Sequence, residues 1–149
     1  MRTGEALRAA FLNATYGTRA ERFRLSGVQP ARLASPSWAA GGRAWAVVTA
    51  WNPGGQLASA EVNARADGAL REQVDALGVP SRVAVNGDGR WREASLLLEG
   101  ARLRDAVALG RHFGQAAVVF GVGARAALVW CGPDGVRVER LWASPSARP

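Results

Sequence analysis

Arg43-Ala-Trp-Ala-Val-Val-Thr-Ala-Trp-Asn-Pro53 is the stretch on which the fold turns. Trp45, Val47 and Thr49 alternate with Ala46, Val48 and Ala50, and no charge falls between Trp45 and Trp51. A strand polar on neither face is covered on both, or central in its sheet. Asn52-Pro-Gly-Gly55 ends it. Proline fixes φ, gives no N–H and holds the preceding residue extended. Trp51 and Asn52 are therefore expected at the carboxyl end of a core strand, before a loop into a helix. Open α/β sheets commonly place ligands there. The same corner also reads as purely structural, with Asn52 bonded to its own turn and Trp51 packed over it.

Ser59 to Leu77 follows as the best helix of the chain. Ser59 is the expected N-cap, Val62, Ala66, Leu70 and Val74 form the inward stripe, and Gly78 stops it. Asn63, in its first turns, is placed to face back toward Asn52. Two carboxamides there either read a ligand or tie loop to helix. Arg82–Val85 and Arg90–Leu98 flank Asn86-Gly-Asp-Gly89, a strong hairpin signal. Glu93 and Ser95 share one face of the returning strand, and Leu96 and Leu98 alternate with them. Leu103–Phe113 is a second amphipathic helix. Gly110 within it costs about 1 kcal/mol relative to alanine and points to close helix-to-sheet contact.

Outside this segment, Thr3–Asn13 reads as a short helix capped by Thr3, and Glu21–Gly27 as a half-buried, edge-like strand. Gln29–Gly42 is a connector pinned by Trp38. Beyond Gly114, Ala116–Phe120, Ala126–Cys131 and Val136–Trp142 are strands, and Ala143–Pro149 is a frayed tail. The expected fold is α+β: one domain over residues 1–142, with a mainly antiparallel sheet and two helices on one face. That is a split βαβ, ferredoxin-like core plus an N-terminal helix and strand and a C-terminal hairpin extension.

At 149 residues and 48% hydrophobic, the chain sustains one real core. No apolar run is long enough to span a bilayer and no signal segment opens the chain, so a cytoplasmic address is expected. A single Cys131 excludes an internal disulfide and a cysteine-based zinc site. All 19 basic residues are arginine, against 12 acids, giving +7 and a pI near 11.4. Arginine binds phosphate through a planar fork, so nucleic acid is a candidate partner, although the arginines are scattered and also read as a generic basic surface.

Thr49-Ala-Trp-Asn-Pro53, Asn63, Glu93-Ala-Ser95 and Phe113-Gly-Gln115 together resemble the bacterial domain of unknown function 3293 family. The similarity runs from about Tyr16 to Trp130. Where the family pattern commonly follows Gln115 with asparagine, this chain has Ala116. The resemblance implies a domain boundary and singles out these polar residues; it implies no reaction.

Complete catalytic motifs are lacking. Ser95, His112 and Glu93 would supply the groups of a triad, but no nucleophile elbow accompanies them. Gly121-Val-Gly123 lacks a dinucleotide continuation, Asn86–Gly89 is too short for a calcium loop, and neither a metal cluster nor a cofactor motif is present. The leading expectation is a non-catalytic module binding a nucleotide or single-stranded nucleic acid. Trp51 would stack, Asn52, Asn63, Glu93, Ser95 and Gln115 would hydrogen-bond, and Arg43 would meet phosphate. The alternatives are a small hydrolase with Glu93 as general base and a protein-interaction module offering its last strand as an edge.

Overall fold

The computed structural model describes residues 4–146, apart from the side chain of residue 91. Thr3 as a helix cap and the final three residues of the expected tail lie outside the described residues. Three α-helices are present: α1 (Gly4–Asn13), α2 (Ala60–Leu77) and α3 (Leu103–His112). The eight strands are β1 (Thr15–Gly17), β2 (Arg22–Ser26), β3 (Ala44–Val48), β4 (Ser81–Asn86), β5 (Glu93–Glu99), β6 (Ala117–Val122), β7 (Arg125–Trp130) and β8 (Arg137–Ser146).

All eight belong to one antiparallel sheet in the order β1-β2-β8-β7-β6-β3-β5-β4. The ferredoxin-like expectation is therefore overturned. The sheet curls until its two outer strands, β1 and β4, nearly meet. Gly87 N–H donates to Thr15 O at 2.7 Å across the seam. The Arg22 guanidinium clasps the same gap, donating to Val85 O (2.8 Å), Gly87 O (3.1 Å) and Gly17 O (2.7 Å). What turns a small α+β sheet into this nearly closed barrel is the pairing of β2 with β8, which joins the N-terminal hairpin to the C-terminal one. Ala143–Ser146 are thus strand rather than tail. β8 lies between β7 and β2, so it offers no edge to a partner, and β2, flanked by β1 and β8, is not an edge either.

Two cores follow from this closure, as the charge-free β3 requires. Inside the barrel stand Trp45, Val47, Leu97, Val119 and Leu128, with Tyr16, Phe23 and Leu25 from the N-terminal hairpin. Trp38, 1% exposed, seals the lower end, edge-on to Trp45 with ring centroids 6.1 Å apart. Outside, Ala46, Val48, Leu96, Leu98, Val118 and Val129 lie beneath Leu70 and Val74 of α2 and Ala106, Val107 and Leu109 of α3. Helices α2 and α3 both pack on the outer wall of the barrel, and with α1 there are three helices rather than the two expected of an open sheet.

Gly110 permits this packing, because a Cβ there would stand 2.7 Å from Val118 Cγ1. Gly121 is required on the inner side, where a Cβ would overlap the Trp45 ring at 2.2 Å.

The seam gives a first prediction. Burial depresses the Arg22 pKa, and its donors satisfy carbonyls that the missing β1–β4 ladder leaves over. Arg22→Ala is expected to lower stability by about 2–3 kcal/mol, read as a lower urea midpoint, because hydrogen bonds from charged groups are the strong ones. An unchanged midpoint refutes the clasp.

Candidate functional site at the barrel mouth

The carboxyl end of β3, the start of β5, the end of β4 and the start of β6 all open at one end of the barrel. The chain leaves β3 through Thr49, whose Oγ1 donates to Ala94 O (2.7 Å) and accepts Trp51 N–H (3.1 Å). Asn52 then adopts a left-handed backbone, φ 50° and ψ 61°, the only non-glycine positive φ among the described residues. The extended conformation expected ahead of Pro53 is therefore not the one found. Asparagine tolerates this region better than most residues, and the surrounding bonds hold it there.

Those bonds form a compact network. Asn52 N–H donates to Asn63 Oδ1 (2.9 Å). Asn52 Oδ1 accepts Ala58 N–H (2.9 Å) and Asn63 Nδ2 (3.0 Å). Asn52 Nδ2 donates to Glu93 Oε2 (2.8 Å). Gln115 Nε2 donates to Trp51 O (3.0 Å) and Phe113 O (3.3 Å), and Gly54 N–H donates to Gly114 O (2.8 Å). Helix α2 positions Asn63 in its first turn, with Ser59 Oγ accepting Val62 N–H as the N-cap (3.1 Å).

Of the residues singled out from sequence, Asn52, Asn63, Glu93 and Gln115 therefore meet at one place through their side chains, and Trp51 joins them only through its backbone N–H and carbonyl. Their amides, however, mostly tie the corner to α2 and to the α3–β6 turn. Asn63 is 4% exposed and has both ends of its amide engaged within the network. Ser95 lies one step down the barrel from Glu93 on the same inner face, 1% exposed, with no partner for its hydroxyl. Arg43 is not part of the cluster. It precedes β3 at the opposite end of the barrel, beside Ala39 O and Gly123 N. His112 is exposed on α3 outside the sheet, with the barrel wall between it and Ser95, so the three-residue triad cannot assemble.

Above the network opens a cavity of about 620 Å³. Helix α1 forms its roof with Leu7, Ala10 and Phe11. The floor and sides carry Tyr16, Thr49, Asn52, Glu93 and Gln115, and the β4–β5 turn contributes Asn86, Gly87 and Asp88. The polar lining is thus rich in acceptors: two carboxylates, and Asn86 Oδ1, which is buried without a partner. No described arginine lines it. Tyr16 donates its phenol to Phe11 O at 2.6 Å, fixing α1 over the mouth. Burial, and then the nearby Glu93 charge, push its pKa well above the ordinary tyrosine value, so it remains a neutral donor.

No sequence motif marks α1, Tyr16 or Asp88 as site elements. The one available signal was the polar Asn86-Gly-Asp turn, which reads first as a hairpin. Among the described residues no group of three or more His, Cys, Asp or Glu side chains could hold a metal ion. Nor is any described helix long and apolar enough to cross a membrane. Cys131 is buried with a raised pKa, from burial, and so is not an activated thiol.

A second tie fastens the roof. Arg8 of α1 donates through Nε to Glu139 of β8 at 2.8 Å. The Arg8 hydrogen bond holds the Glu139 carboxyl below the usual carboxylate range. A depressed carboxyl stabilises the fold above its unfolded pKa, and that contribution is lost as pH falls through the folded value. Amide exchange protection in α1 is therefore expected to be constant near neutrality and to drop selectively below about pH 4. Glu139→Gln should remove the pH step; if the step persists, this pair does not hold the roof.

The model of a family described as "Protein of unknown function (DUF3293)" matches residues 48–118, in support of the family assignment drawn from Thr49–Pro53. That span contains Asn52, Asn63, Glu93, Ser95 and Gln115, and leaves α1, Tyr16, β7 and β8 outside. No curated protein and no solved structure matches the chain.

Proposed function

We propose that this DUF3293-family chain is a non-catalytic binding module for a small organic molecule that presents N–H or O–H donors and carries no negative charge. The observation behind this reading is the cavity at the barrel mouth, with an apolar roof and an acceptor-rich lining that includes no described arginine. Its volume of about 620 Å³ suits one drug-sized ligand. An amine, amidine or amide would direct its donors at Glu93, Asp88 and Asn86 Oδ1 and lay its apolar body under Leu7 and Phe11. A phosphate in the same place would meet two carboxylates, while the Arg22 guanidinium beside Asp88 is already engaged by the carbonyls of the seam, so the nucleotide expected from the sequence is a poor fit here.

Ligand-observed NMR with benzamidine, benzylamine, benzoate and phenyl phosphate tests the reading. The two cations should bind and the two anions should not. Preference for the anions, or no binding by any of the four, rejects it.

Glu93 as general base of a small hydrolase draws on the position of Glu93 in the same cavity. Ser95 Oγ has no hydrogen-bonded base, so in that reading the nucleophile is water rather than Ser95.

A further inference from the structure

The helices cover only one side of the barrel. On the other side, β8 and β2 present their outward positions to solvent, joined by Arg125 at the start of β7, whose next outward residues, Ala127 and Val129, already lie under the helices. Register fixes which residues these are. Trp142 of β8 lies opposite Arg125 of β7 and Ser26 of β2, while Arg24 of β2 lies opposite Ser144. Arg140 stands two residues before Trp142 and so shares its face. Three arginines therefore surround one tryptophan: Arg125 across the ladder, Arg140 along the strand, Arg24 on the diagonal.

All three arginines are exposed, and Trp142 is half-buried. The Arg125 guanidinium lies over the Trp142 ring, 5.5 Å from its centroid. Arg24 reaches only the Asn13 carbonyl, at 2.9 Å. No carboxylate shares the face, because Glu139, the one acid in these three strands, turns the other way to Arg8.

We propose that this outer face of β2, β8 and β7 binds single-stranded nucleic acid, independently of the cavity at the mouth. Charge complementarity and the aromatic together favour this partner. Scattered along the sequence, Arg24, Arg125 and Arg140 converge only through the β2–β8–β7 pairing. They give a local positive field, and no acid of β2, β7 or β8 stands among them. Unpaired bases stack on indole rings and on guanidinium planes, and each such stack contributes about 1–3 kcal/mol in single-strand binders. A duplex keeps its base faces covered and would gain only the electrostatic part.

The test is fluorescence anisotropy of the full chain with a labelled oligo(dT) and, separately, a duplex of equal length, over a salt series. Binding to oligo(dT) should exceed binding to duplex and should weaken linearly in log salt. The double variant Arg125→Ala, Arg140→Ala should bind roughly tenfold or more weakly, with a salt slope shallower by about 1.4, since each phosphate neutralised on a single strand contributes about 0.7. Both side chains are exposed, so the variant should fold, and its circular dichroism and urea midpoint should match the parent. Trp142→Phe should retain most of the affinity and Trp142→Ala lose it. Three results would overturn the proposal: no binding at low salt, equal binding to duplex, or affinity unchanged in the double variant. Benzamidine binding by the mouth is read separately and bears on neither outcome.

Discussion

Asn52→Ala is expected to destabilise the domain by about 3–5 kcal/mol, seen as a large drop in the urea midpoint. Two contributions add. Alanine at φ 50° carries a steric cost of about 1 kcal/mol or more that asparagine relieves by bonding locally. Loss of the side chain also strands its partners, since Ala58 N–H and Asn63 Nδ2 lose their acceptor and Glu93 loses a donor. A buried group left unsatisfied costs about 1–3 kcal/mol. Asn52→Gly separates the two terms: it keeps the left-handed backbone at ease and removes the same bonds, so it should recover only about 1 kcal/mol of the loss. If the two variants are equally stable, the backbone at Asn52 is not strained. If both match the parent, the network does not organise the corner.

Glu93→Gln is expected to abolish measurable binding of a cationic probe at the mouth, a loss of about a hundredfold or more, while leaving the fold intact. Glutamine keeps the shape and can still accept from Asn52 Nδ2, so the corner should survive. What disappears is the negative charge facing the guest. Breaking a close, desolvated charge pair at a binding site costs about 2–5 kcal/mol. Asp88→Asn, on the β4–β5 turn and exposed, should weaken binding by less. A Glu93→Gln protein that binds as tightly as the parent would move the recognition elsewhere.

The corner was legible because its signals are local. Asn-Pro-Gly-Gly must end a strand, Ser59 must start a helix, and eleven residues separate Asn52 from Asn63, so the two amides meet across one short loop. Glu93 joined them because β5 pairs beside β3, with Leu96 opposite Val48. That β3 is covered on both faces was legible too, because neither side of it is polar; that the two sides belong to two separate cores was not.

Closure of the barrel was not legible. It depends on β2 finding β8, more than a hundred residues later, and no local pattern encodes a partner at that distance. Thr15–Gly17 is three residues long and reads as the end of α1 rather than as a strand. Without that closure, Arg43 at the start of β3 and the amides at its end looked like one site, although the length of a strand separates them. The roof over the mouth was missed for the same reason: α1 is an ordinary amphipathic helix until Tyr16 and Arg8 fasten it across the opening.

The most direct measurement is a two-dimensional amide NMR titration of the full chain with benzamidine. The mouth reading predicts shifts confined to Phe11, Tyr16, Thr49, Asn86, Asp88, Glu93 and Gln115, with Arg125, Arg140 and Trp142 unmoved. Shifts centred on the β7–β8 face, or a spectrum that does not change at millimolar probe, would contradict it.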